Sequence, residues 1–231
     1  MSANLKRQRR SFPATVLAAL CTAVVAAGFV QPAGADAPKE WDGLVLQSGK
    51  RVSLVYVRPG ASLKGYKRVR LERLRVSFDK NWKPNQTRDL SRHLSQQDFE
   101  NIKNALADEF AKTFAAELAK GGYQVVTETG EDVLDITPLV IDLYIAAPEG
   151  SNMGRRAVYT ADPGRMTLVA ELRDSVTSQI LYRVVDTRNA EWGDTFQMGT
   201  SGANLAAGQR VIALWANALR EALDEAEGRK N

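Results

Sequence analysis

The thirteen residues YKRVRLERLRVSF, Tyr66–Phe78, decide how this chain folds. Val69 and Leu71 alternate with Arg68, Arg70 and Glu72; then Leu74, Val76 and Phe78 alternate with Arg73, Arg75 and Ser77. A period of two puts apolar side chains on one face and charged ones on the other, the pattern of a half-buried strand. The apolar phase slips by one between Leu71 and Leu74, which predicts a bulge there.

Downstream, Asn81–Leu94 reads as a polar loop. Ser95 then opens a helix, with Asp98 three residues on and Phe99, Ile102, Leu106, Phe110, Phe114 and Leu118 at spacings of three and four. Gly121-Gly122 ends it, where a left-handed residue is expected. Strands follow over Tyr123–Thr129 and Val133–Ala146, with Pro138 marking the first half of the second as an edge or a bulge. Met166–Leu172 and Ile180–Thr187 form a hairpin about Asp174–Ser178. A last helix over about Ala203–Glu227 carries the stripe Val211, Ile212, Trp215, Ala218, Leu219, Ala222 and Leu223. Upstream, residues 36–65 are turn-rich, with one short strand over Arg51–Val57. The order predicts an α+β fold: a mixed, mostly antiparallel sheet with two amphipathic helices packed on one face, in a single domain over 66–228.

The N-terminus carries different information. Residues 1–35 hold Lys6, Arg7, Arg9 and Arg10 and no acid, followed by an uncharged apolar run from Ala14 to Val30. With Ala33-Gly34-Ala35 at its end, this is the pattern of a signal peptide cut between Ala35 and Asp36. Arg9-Arg10-Ser11-Phe12 also has the outline of a twin-arginine signal. The whole chain is formally +4, yet residues 36–231 hold 27 basic and 27 acidic side chains, one histidine and no cysteine. The expected product is a neutral, thiol-free protein in the periplasm or outside the cell. Cys21 has Leu20 before it, where a lipid-attachment site wants Gly or Ala, so a lipid anchor there is not expected.

Several motifs resemble those of a known family. Tyr56-Val57-Arg58-Pro59-Gly60-Ala61, Tyr66-Lys67-Arg68-Val69, Phe78-Asp79-Lys80-Asn81-Trp82, Gly122-Tyr123, Asp132-Val133-Leu134 and Leu172-Arg173-Asp174-Ser175-Val176-Thr177 are similar to motifs of the bacterial envelope family of unknown function numbered thirty-three thirteen. The resemblance covers about residues 41–220. It implies a lipoprotein-like envelope protein and supplies no activity.

Catalytic signatures are sparse. His93 sits in a polar stretch with no Gly-x-Ser-x-Gly in the chain, which leaves a Ser-His-Asp triad without support. Ser77 and Lys80 fit Ser-x-x-Lys, but at the end of a strand where that chemistry needs a helix start. Glu128, Glu131, Asp132 and Asp135 do not have EF-hand spacing. No cofactor and no metal are expected. Glu117 falls within an apolar helix stripe, where burial would raise its pKa unless its head reaches water. The basic run Lys64, Lys67, Arg68, Arg70, Arg73 and Arg75 is either a face for anionic headgroups or a solvated face balanced by acids. No stacking aromatics are interleaved with it, which argues against nucleic acid.

The long loops 147–165 and 189–202 are the stronger candidates, because loops of that length in a small domain are usually functional or disordered. Arg155, Arg156, Trp192 and Phe196 are the residue types that anchor partners. The reading is an exported, non-catalytic domain that binds a protein or another envelope component. The alternatives are a carboxylate-dependent hydrolase of cell-wall glycan and a carrier of a small or lipidic ligand.

Overall fold

The 66–78 strand is present, cut in two. In the computed structural model it forms β4 (Arg68–Leu71) and β5 (Arg75–Phe78), separated by Glu72-Arg73-Leu74. Both run parallel to the twelve-residue strand β7 (Val133–Tyr144), β4 against Val133–Ile136 and β5 against Leu139–Leu143. The phase slip in the sequence is this break. The described residues are 37–83, 93–145, 158–159, 164–189, 198–199 and 201–229. Met1–Ala37 forms a unit of its own, of which only Ala37 is described, and Pro38–Asn231 forms the other.

The break accounts for Pro138. The Glu72 amide donates to the Ile136 carbonyl on the β4 side of β7. Two residues on, Pro138 faces that same side, opposite the interrupted stretch, so its missing N–H falls where no strand pairs. β7 is therefore a central strand, not the edge that a proline predicts. Its other side pairs with β9 (Arg165–Asp174). Asp142, at φ +53°, marks the bulge where both ladders of β7 shift register.

β9 pairs antiparallel with β10 (Ile180–Asn189), and β10 with β3 (Leu54–Val57). β3 continues to β2 (Leu44–Gln47) and β1 (Glu40–Trp41). Residues 36–65 thus supply three strands where the sequence showed one. Asp42 and Gly43, at φ +53° and +74°, close the β1–β2 hairpin, the Asp-Gly turn that such hairpins favour. The sheet order is β1-β2-β3-β10-β9-β7-β4-β6, with β6 (Gln124–Val126) parallel to β4 at the far edge. β8 (Val158–Tyr159) and β11 (Met198–Gly199) form a separate two-stranded pair. The result is the expected α+β fold, a mostly antiparallel nine-stranded mixed sheet with two helices.

Helix α1 (Gln96–Lys120) starts at the expected cap: the Asp98 amide donates to the Ser95 hydroxyl and the Ser95 amide to the Asp98 carboxylate. Of the two glycines at its end, Gly122 takes the left-handed conformation, at φ +77°. Helix α2 spans Ser201–Ala226. Phe110, Phe114 and Leu118 of α1 join Val211, Ile212, Trp215 and Leu223 of α2 over the sheet face that presents Val69, Leu134, Ile136, Val140, Leu168, Ala170 and Leu172. Both helices therefore cover one face, as their stripes require. The strand registers set Leu54, Val185, Val169 and Leu139 side by side on the opposite face, all half-buried.

Candidate functional site

Three of the family-like motifs meet at one end of the sheet and hold it together. The Tyr66 hydroxyl donates to the Asp174 carboxylate (2.8 Å), and Asp174 also receives the Thr177 amide and hydroxyl (2.7 and 2.8 Å). Those donors hold Asp174 below the ordinary carboxylate range against the opposing effect of burial. Arg68 forks onto Asp132 (3.0 and 2.6 Å), and the Ser175 hydroxyl closes on the Gly130 carbonyl (2.8 Å). Every one of these groups is engaged within the fold, so this end is a structural clasp.

Three of the six residues of the basic run are spent in the same way. Arg68 and Arg70 do point away from the Val69/Leu71 face, but Arg68 is paired with Asp132 and Glu128, and Arg70 with Asp135. Arg73 reaches Asp108 and Asn104 of α1. The acids Glu128, Asp132 and Asp135 are thus the counter-charge of Arg68 and Arg70. Among the described residues no group of three or more metal-ligating side chains lies together. Ser77 is in strand β5 and His93 in the stretch just before the α1 cap.

Glu117 is half-buried between the helices, and its pKa is lowered, not raised. Lys120 (2.5 Å) and Arg220 (2.9 Å) donate to it, and their hydrogen bonds outweigh its burial. Arg220 also donates to Asp224, which accepts from Tyr123 (3.0 Å), so this chain of groups ties α2 to the end of α1. Among the described residues, each carboxylate whose pKa is displaced, Glu117, Asp132, Glu171, Asp174, Asp186, Glu221 and Glu225, is displaced downward. A glycan-hydrolysing general acid needs the opposite.

Arg155, Arg156, Trp192 and Phe196 lie outside the described residues, as do Cys21 and the Ala35–Asp36 bond. Two features that the sequence did not single out are described. On the open sheet face, Trp41 of the β1–β2 hairpin lies over the Arg183 guanidinium, 3.9 Å from ring centre to Cζ, and edge-on to Tyr56. Arg183 is buried there, forked onto Glu171 (3.0 and 2.6 Å); its Nη1 is 2.9 Å from Asp42 but misaligned for a hydrogen bond.

The second feature is a cavity of about 170 Å³ between the sheet and the helices. Ile136, Leu168 and Ala170 form its floor, Phe110 and Phe114 one wall, and Trp215, Ala218 and Ala222 its roof. Its mouth lies beside Lys50, Arg51 and Val52. Arg51 crosses to α2 and donates to Glu221 (2.6 Å) and Glu225 (3.0 Å). The Trp215 indole N–H donates to Asp186 (2.8 Å), a fully buried carboxylate on β10 that also receives Ser53 and Arg188. No single residue of this cavity stands out in the sequence, because it is walled mostly by ordinary core positions from both helices and four strands.

A family model described as a protein of unknown function, DUF3313, matches residues 37–219. The chain belongs to the DUF3313 family. No curated protein matches it in sequence. Among solved structures, this DUF3313 chain is similar to the PelC dodecamer from Paraburkholderia phytofirmans: 12% identity, 71% of this chain and 96% of that one, TM-score 0.36. It is also similar to a minor lipoprotein from Acinetobacter baumannii: 14% identity, 69% and 92%, TM-score 0.34. Among the described residues of this DUF3313 protein, no helix is long and apolar enough to cross a membrane.

Proposed function

We propose that this protein is exported, loses residues 1–35, and serves in the bacterial envelope as a non-catalytic domain that binds a protein or another envelope component. The observation that carries the binding reading is that, among the described residues, helices cover one face of the sheet only. Both helices pack on one face, while the other presents the half-buried row Leu54, Val185, Val169 and Leu139 beside the Arg183–Glu171 charge network. An aliphatic row bordered by fixed charges is the make-up of a recognition surface, with apolar area for affinity and charge for register. The loops bearing Arg155, Arg156, Trp192 and Phe196 are proposed as the rest of that surface.

The test is crosslinking of the mature protein in envelope fractions, comparing wild type, an Arg155/Arg156/Trp192 alanine variant and Val169→Glu. Loss of the same crosslinked species in both variants supports the reading; identical species in all three proteins overturn it. Export has its own measurement: the native protein should have an intact mass that begins at Asp36, and an uncleaved chain in the cytoplasm refutes it.

A further inference from the structure

The cavity under α2 is a second site, distinct from the open sheet face. Its volume, about 170 Å³, is close to that of apolar protein cavities of about 150 Å³ that stay dry and accept a benzene-sized guest. Phe110, Phe114, Ile136, Leu168 and Trp215 around it offer no free polar group, since the Trp215 N–H is taken by Asp186. Apart from Tyr182 and the two cations at the mouth the lining is apolar, so hydrocarbon is favoured over water in its interior. The mouth is different. Lys50 stands there with its side chain 80% exposed and 3.6 Å from Glu225, and Arg51 lies beside it. Exposed ion pairs of that kind are weak and yield to a competing anion.

We propose that the cavity holds the distal end of a single-chain amphiphile with an anionic head, the chain entering beneath α2 and the head remaining at the mouth against Lys50. The volume sets the chain to one. Arg51 is already held by Glu221 and Glu225, so Lys50, 80% exposed and 3.6 Å from Glu225, is the cation that sets the sign of the head. Ala218 and Ala222 keep the roof thin enough for the chain to pass.

The probe is 12-bromododecanoate below its micelle concentration, read by bromine quenching of tryptophan fluorescence. Saturable quenching is expected in the wild type and is largely lost in Trp215→Phe, which removes the reporter in the roof. Ala222→Phe and, separately, Ala218→Leu fill the space and should weaken binding at least tenfold; two variants are used so that one that folds poorly by circular dichroism can be set aside. The uncharged 12-bromododecanol should bind several-fold more weakly than the carboxylate. Quenching that does not saturate, or that is unchanged by filling the roof, overturns the site. Equal affinity for acid and alcohol overturns the anionic head. Neither result bears on the sheet-face reading, which involves other residues.

Discussion

Replacing Asp186 by alanine is the most severe test of how the two layers are joined. Its carboxylate is 1% exposed and accepts four hydrogen bonds: the Ser53 amide and hydroxyl (2.8 and 2.7 Å), Arg188 Nε (2.6 Å) and Trp215 Nε1 (2.8 Å). Alanine leaves all four donors without this acceptor. Arg188, with its side chain 36% exposed, can turn to water, whereas Trp215, at 3%, cannot. An orphaned buried donor costs about 1–3 kcal/mol, and Trp215 is the donor that stays buried. The expected loss is about 1–3 kcal/mol, a substantial part of the roughly 5–15 kcal/mol typical of a folded domain. Urea unfolding followed by tryptophan fluorescence measures it, and a cycle with Trp215→Phe should return about 1–3 kcal/mol of coupling. Burial pushes the Asp186 pKa up, but the donors outweigh it and the net shift is downward. A depressed folded pKa gives stability that is full above the ordinary value of about 3.9 and is lost as pH falls through the folded value. The variant should therefore show a shallower decline below pH 4 than wild type. A loss under about 1 kcal/mol, with no coupling to Trp215, refutes the view that this carboxylate pins the helix to the sheet.

Other perturbations probe separate parts of the molecule. Tyr123 is buried and donates to Asp224, which pushes its pKa up to about 12. A raised folded pKa keeps this contribution intact below about pH 10 and loses it as pH climbs towards 12; Tyr66, Tyr56 and Tyr182 are shifted upward too, so ultraviolet titration of wild type should show several late tyrosines, one fewer in Tyr123→Phe, and alkaline unfolding should set in over that range. Gly122→Ala meets no atom within 4 Å but must hold φ +77°, so it should cost about 1–2 kcal/mol in thermal unfolding. Gly49→Ala brings a Cβ to 2.3 Å from the Val52 carbonyl oxygen and should distort the loop at the cavity mouth, visible as a changed proteolysis pattern at residues 48–53. Ser95→Ala removes the α1 cap and should cost about 1 kcal/mol, with less helical circular dichroism.

The fold was legible because its deciding segments are strongly patterned. Alternation over 66–78 with its slip, the Ser95/Asp98 capping pair, the helix stripes and the Asp174–Ser178 turn each follow from local geometry. Pro138 misled because the rule against a central proline assumes an unbroken neighbouring strand, and the gap after Leu71 lies far away in sequence. The candidate site was less legible for the same reason. Lys50 and Arg51 look like loop charges until α2, about 170 residues later, is laid across them. The charges of Arg68 and Arg70 looked available until the acids of 128–135 were brought alongside by the β4–β7 pairing.

The pairing of β3 with β10 fixes the order in which this protein can be assembled. Arg58 bonds to the Ile180 carbonyl across 122 residues, and Arg51 to Glu221 across 170. The β9–β10 hairpin needs only its own short turn and can form at once, and β1–β3 can pair with one another, but the other edge of β3 has no partner until Ile180–Asn189 arrive. Contacts so distant along the chain slow folding, and a strand edge without a partner is open to pairing with other chains meanwhile. A chain emerging N-terminus first carries that exposure through most of its length, so an escort that binds extended segments 40–57 would raise the yield of folded protein without altering its final stability.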